Sequence, residues 1–177
     1  MKNFFLALFM FCSIFTLTAQ EQDSRDHLNI KKNELKANGL FLVIGALDFS
    51  YERLINEESG FGLNVVVPYD EDIKESLEYF ISPYYRFYFG DKYAAGFFLE
   101  GFGMLNSTER DFDFFIEEDE REYVTDFALG IGLGGKWITK SGFIGEINFG
   151  VGRNIFKSEE TDIDFVSKFA ITAGYRF

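Results

Sequence analysis

Nine charged residues sit at the polar positions of segments that alternate apolar and polar side chains. Asp48, Glu52, Glu100, Asp126 and Glu146 are acidic; Arg86, Lys136, Lys168 and Arg176 are basic. If such segments close around a narrow interior, these charges must pair, because an isolated buried charge is strongly disfavoured. One reading is an electrostatic core that closes the interior and fixes strand register. The other is a gated path for protons or small ions. A guanidinium fork can hold a carboxylate bidentately, so Glu52, within Tyr51-Glu52-Arg53, and Arg86 form the leading candidate pair. Glu100 and Glu146 could in principle do acid–base work, but basic partners nearby and the lack of an evident cleft argue against it. The sole histidine, His27, lies ahead of the alternating segments. A Ser–His arrangement on those segments is therefore excluded. The expectation is a protein that is not an enzyme and uses no cofactor.

Acidic side chains crowd three connecting segments: Asp70, Glu71, Asp72, Glu75 and Glu78; Glu109, Asp111, Asp113, Glu117, Glu118, Asp119, Glu120 and Glu122; and Glu159, Glu160, Asp162 and Asp164. Clustered carboxylates suit hard divalent cations. Asp111, Asp113, Glu117, Glu118, Asp119 and Glu120 are weak metal candidates. The spacing fits no EF-hand, since Asp111-x-Asp113 is not followed by the required glycine and terminal glutamate. A solvated, repulsive surface is one reading, and calcium or magnesium bridging to anionic surface glycolipid is another. Phe112, Phe114 and Phe115 in the longest segment suit a strand extension or a contact patch.

Eight strands position these groups. The first two run from about Leu35 to Gly45 and from Ala46 to Ile55, joined tightly near Gly45. The others cover Phe61 to Pro68, Tyr79 to Phe89, Ala94 to Asn106, Asp126 to Trp137, Phe143 to Phe156, and a last one ending at Phe177. In the last, Phe169, Ile171, Ala173, Tyr175 and Phe177 share one face, while Lys168, Ala170, Thr172, Gly174 and Arg176 share the other. A period of two with an apolar face and a small-or-charged face describes a strand between lipid and a polar lumen. Pro83 interrupts the fourth strand, where it removes a ladder donor. Connections at 56–60, 90–93 and 139–142 are short, and those at 69–78, 107–122 and 157–164 are longer and acidic. That alternation matches the turns and outer loops of a membrane barrel. The predicted fold class is all-β: an eight-stranded antiparallel up-and-down transmembrane β-barrel with both termini on the periplasmic side.

Residues 1–19 read as a secretory signal peptide, with Lys2, an apolar run from Phe4 to Phe15 and a cleavage site after Ala19. The run falls short of the ~20 residues a spanning helix needs. Cys12 lies inside it, so a chain cut there carries no thiol. Residues 20–34 form a polar lead-in, and 35–177 form the barrel. The formal charge of -12 argues against nucleic acid as a partner, because phosphates demand basic surface.

Signal peptide, alternating strands, acidic loops and the terminal Tyr175-Arg176-Phe177 together resemble the small outer-membrane barrels of the OmpX and OmpA-transmembrane-domain type. A closer likeness is to an uncharacterised group of small barrels carrying a domain of unknown function. It rests on Leu47-x-x-x-Tyr51-Glu52-Arg53, Ser82-Pro83-Tyr84-Tyr85-Arg86, and Gly145-Glu146 with Gly150-x-Gly152-Arg153-Asn154. The resemblance implies the outer membrane of a Gram-negative-type bacterium. It also implies that Phe169, Ile171, Ala173, Tyr175 and Phe177 form the insertion signal read by the barrel-assembly machinery. The functional expectation is a non-enzymatic barrel with a plugged polar lumen, acting structurally or through its acidic external loops. The alternatives are a narrow channel for small ions or solutes, and an adhesin-like, cation-dependent binding protein.

Overall fold

The computed structural model describes residues 31–109, 123–156 and 165–177. The signal peptide, His27, the candidate metal-binding acids and Phe112, Phe114 and Phe115 lie outside the described residues.

Eight antiparallel strands follow one another around a closed barrel: β1 (Asn33–Asn38), β2 (Ala46–Leu54), β3 (Ser59–Pro68), β4 (Leu77–Phe89), β5 (Gly96–Glu109), β6 (Tyr123–Ile138), β7 (Phe143–Asn154) and β8 (Phe165–Arg176). Closure comes from β1 pairing with β8, with Leu35 opposite Tyr175 and Ala37 opposite Ala173. Beyond it, Phe177 N–H donates to Asn33 O at 2.8 Å and Asn33 N–H to Phe177 O at 3.1 Å. Closing a sheet removes the unpaired edges that would otherwise template aggregation.

The alternation in the sequence maps onto two faces. Phe61, Leu63, Phe97, Leu99, Leu129, Ile131, Leu133, Ile147 and Phe149 are exposed on the outer surface, whereas Tyr84, Arg86, Phe98, Glu100, Lys136 and Glu146 are buried inside. No helix among the described residues is long and apolar enough to cross a membrane.

The first connection departs from the expected tight turn. Residues Gly39–Ile44 form a helix rather than the end of a strand. Asn38 starts it, its side chain accepting from Leu40 N–H at 3.1 Å. Gly45 stops it in the left-handed region at φ 113°, with its N–H on Phe41 O. Capping asparagine and terminating glycine thus outweigh the strand-like run Leu40-Phe41-Leu42-Val43-Ile44. β1 begins at Asn33, so Glu34 belongs to the barrel and not to the lead-in. A second helix, Glu71–Ser76, fills most of the first acidic segment, capped by Asp70. The barrel therefore has a turn end, holding both ends of the described chain, and a loop end, holding both helices.

Pro83 sits inside β4, opposite Leu63 of β3. Toward β5, Ser82 Oγ donates to Gly103 O at 2.8 Å, giving that carbonyl a donor beside a proline that has none.

Candidate functional site in the lumen

Strand parity turns every second side chain inward. In an eight-stranded barrel that space is only wide enough for the side chains themselves. β4 and β5 contribute large rings and β6 and β7 contribute glycines. A Cβ at Gly130 would strike the Phe102 ring and the Val151 carbonyl, and one at Gly134 would strike Phe98 and the Ile147 carbonyl. Two buried clusters result: Val66, Phe80, Tyr84, Phe102 and Met104 with small neighbours toward the loop end, and Leu54, Tyr88, Ala94 and Phe98 toward the turn end.

Between them lies a connected set of charges. Glu52 Oε2 accepts from Lys36 at 2.6 Å, Arg86 Nη1 at 3.1 Å and Tyr84 OH at 3.3 Å. Its other oxygen accepts from the Tyr88 hydroxyl and from Lys136 at 3.3 Å. Lys136 also donates to the Tyr88 hydroxyl and to Glu34 at 2.7 Å. Glu146 accepts from Arg86 at 2.8 Å and from Lys36 at 3.0 Å. Glu100 accepts from Arg86 Nε at 2.7 Å, Lys168 at 2.8 Å and Asn148 at 3.0 Å. Arg176 pairs with Glu34 through Nε at 2.8 Å and Nη2 at 2.7 Å. Its guanidinium also reaches the carbonyls of Tyr93 and Ala94 at 2.9 and 3.0 Å, tying β8 to the β4–β5 turn.

Rings complete the enclosure. The Arg86 guanidinium lies 4.4 Å from the Tyr84 ring centre and 4.2 Å from that of Phe98. Lys136 lies 4.3 Å from Tyr88, and Lys168 lies 4.8 Å from Tyr84. Cation–π contacts strengthen as the cation is buried, and Arg86, Lys136 and Lys168 are all buried.

All nine charges read from the sequence point inward, but they do not form one set. Glu52, Arg86, Glu100, Lys136, Glu146, Lys168 and Arg176 belong to the network. Asp48 instead accepts from Asn38 at 2.7 Å and from the Asn64 amide, nearer the loop end. Asp126 accepts from the backbone N–H groups of Phe127 at 2.6 Å and Phe156 at 3.1 Å. The bidentate Glu52–Arg86 pair does not form. Arg86 gives Nε to Glu100 and shares Nη1 between Glu52 and Glu146, because three carboxylates converge on one guanidinium. Sequence reasoning missed Glu34 and Lys36. Glu34 falls in the segment read as the polar lead-in, and Lys36, though inside the first expected strand, is not among the inward charges read from the sequence; their alternation with Leu35 and Ala37 was the available signal.

Chemically, each of Glu34, Glu52, Glu100 and Glu146 accepts from at least two cationic side chains. Carboxylates so engaged are poorly placed to take a proton from a substrate. Phe169, Ile171, Tyr175 and Phe177 are exposed on the outer face of β8 and just past it, and Ala173 shares that face. The Tyr175 ring meets that of Phe143 edge-on, with centroids 5.5 Å apart.

No protein-family model matches the chain, and no curated protein matches it. Solved structures do. The N-terminal β-barrel domain of Pseudomonas aeruginosa OprF matches with a TM-score of 0.60 at 13% identity, over 84% of this chain and 98% of that one. Neisserial surface protein A matches with a TM-score of 0.52 at 12% identity, over 82% of this chain and 95% of that one. Identities this low speak to fold. Strand number, closure and up-and-down order make this chain an eight-stranded β-barrel of the kind seen in small outer-membrane proteins.

Proposed function

We propose that the protein is a non-enzymatic barrel of the outer membrane in a Gram-negative-type bacterium, with its lumen plugged and its recognition carried by acidic external loops. The observation that supports the plug is the convergence of Glu52, Glu100 and Glu146 on Arg86 at 2.7–3.1 Å, with the guanidinium held between two rings. Opening a path there means separating several buried ion pairs at once, each strongly disfavoured when broken singly. The outer face supports membrane residence: apolar side chains cover strand after strand, as lipid contact requires. In this reading the turn end and both termini face the periplasm, and the helix-bearing end faces outward. Outer-membrane lipid and the barrel-assembly machinery are the expected partners, with divalent cations or surface glycolipid at the acidic loops.

Planar-bilayer recording tests the plug. The purified protein should give no steady conductance above the bare membrane, and sustained single-channel steps would make the channel reading the better one. Replacing 107–122 with a short Gly/Asn turn tests the loops. Heat-modifiable folding should persist while binding of calcium or anionic glycolipid vesicles is lost. Retained binding, or loss caused instead by Lys136→Ala, would overturn the loop assignment.

A further inference from the structure

Two cations stand exposed on the outer wall at the turn end, beside the seam where β1 closes on β8. Arg53 of β2 lies opposite Asn33 of β1, whose Oδ1 accepts from Arg53 Nη1 and from the Tyr51 hydroxyl, both at 2.7 Å. Lys31 folds back onto β8, where its Nζ donates to the Tyr175 hydroxyl at 3.3 Å and lies 5.2 Å from the ring centre. Neither cation has a carboxylate partner among the described residues, Glu57 and Glu58 of the next turn included. Arg53 Nε and Nη2 have no partner there at all.

Depth decides what meets these donors. Tyr51 and Tyr175 are both exposed, and register sets Leu35 opposite each of them. Tyrosines ring a membrane protein where hydrocarbon gives way to headgroups, and basic side chains reach from that level toward water. Lipid phosphates lie at the same level, and a guanidinium and an ammonium both suit them. Toward the loop end, Ala37 and Ala173 continue the outward face beyond Leu35, as acyl chains require. The net charge of -12 repels anionic lipid on average, so an attraction at this seam is local. We propose that Lys31 and Arg53 hold the phosphate of an anionic phospholipid in the periplasmic leaflet, its acyl chains lying along Leu35, Ala37 and Ala173. The site rests on the reading of the outer wall as lipid-facing with its turn end in the periplasm. It needs neither the lumen plug nor the external loops.

Brominated lipids in vesicles test this. In a Trp137→Phe background, Leu35→Trp puts the single tryptophan beside the seam, and Phe97→Trp puts it at the turn end of β5. Competition between brominated and plain lipid gives the relative affinity at each probe. Phosphatidylglycerol should be favoured over phosphatidylcholine by roughly 5–25-fold at Leu35→Trp, about fivefold for each cation. At Phe97→Trp the ratio should stay near one. Lys31→Gln combined with Arg53→Gln should bring the first ratio down to the second. Raising salt should lower it with both cations in place, a measurement that needs no further substitution. Equal ratios at the two probes, or a preference unmoved by the double substitution or by salt, would overturn the phosphate site. Quenching of both probes by acrylamide and by neither lipid would instead overturn the lipid-facing wall, and the site with it.

Discussion

Glu52 and Arg86 meet at 3.1 Å, yet neither is the other's nearest partner: Lys36 stands 2.6 Å from Glu52, and Glu100 stands 2.7 Å from Arg86 Nε. The pair is one edge of a network. Removing Glu52 leaves Lys36 and Lys136 short of a carboxylate, while removing Arg86 leaves Glu100 and Glu146 short of a cation. Each change to alanine should cost about 3–5 kcal/mol in urea unfolding. The double variant should fall short of the sum by roughly 0.5–3 kcal/mol, the coupling expected of residues in one network. Strict additivity would mean that the two act independently.

Glycines on the two faces should respond oppositely to the same methyl group. A Cβ at Gly130 meets the Phe102 ring and a carbonyl, whereas one at Gly101 or Gly145 meets nothing within 4 Å. Gly130→Ala should therefore destabilise by roughly 1–3 kcal/mol through overpacking. Gly101→Ala and Gly145→Ala should be near neutral. Equal effects at all three sites would argue that the lumen is looser than described.

Phe177 exchanges two backbone hydrogen bonds with Asn33 and presents its ring on the outer face. A chain ending at Arg176 loses both the bonds and the ring. Heat-modifiable, membrane-inserted protein should drop severalfold in cells, measured by electrophoretic mobility with and without boiling. Normal insertion of the shortened chain would remove the assembly role from the last residue.

Trp137 is the single tryptophan and is 62% exposed on the outer face near the turn end of β6. In vesicles its emission should be quenched by brominated phospholipid more than by acrylamide. Val43 is 85% exposed on the loop-end helix, and Leu47 and Val67 are exposed on the strands that meet that end. Val43→Trp in a Trp137→Phe background should also be quenched by brominated lipid. Quenching of Val43→Trp by acrylamide alone would put that helix in water, clear of the membrane.

Strand identity was legible because one parity is apolar for most of the chain. From Phe61 to Val67 and from Phe169 to Phe177 the two faces differ so sharply that register follows directly. The first hairpin was not, because Leu40 to Ile44 is apolar at every position and carries no period to separate helix from strand. The inward direction of Glu52 and Arg86 could be read from parity. Their partners could not, since contacts across the lumen join β1, β2, β4, β6 and β7, and alternation says nothing about what lies opposite. Glu34 and Lys36 show the same limit: two charges beside a polar segment look like solvent-facing residues until a closing strand covers them.

Arg176 and Lys168, the two cations that β8 sends inward, answer carboxylates on β1 and β5 that stand early and midway in the chain. Until the last strand docks, Glu34 lacks Arg176 and Glu100 lacks Lys168. A chain missing β8 is thus more than an open sheet: it is a precursor in which two acids, left to Lys136 and Arg86, each lack one of their two hydrogen-bonded cationic partners. Completion of the wall and completion of the interior ion pairs coincide, which makes the final strand the electrostatic keystone of assembly.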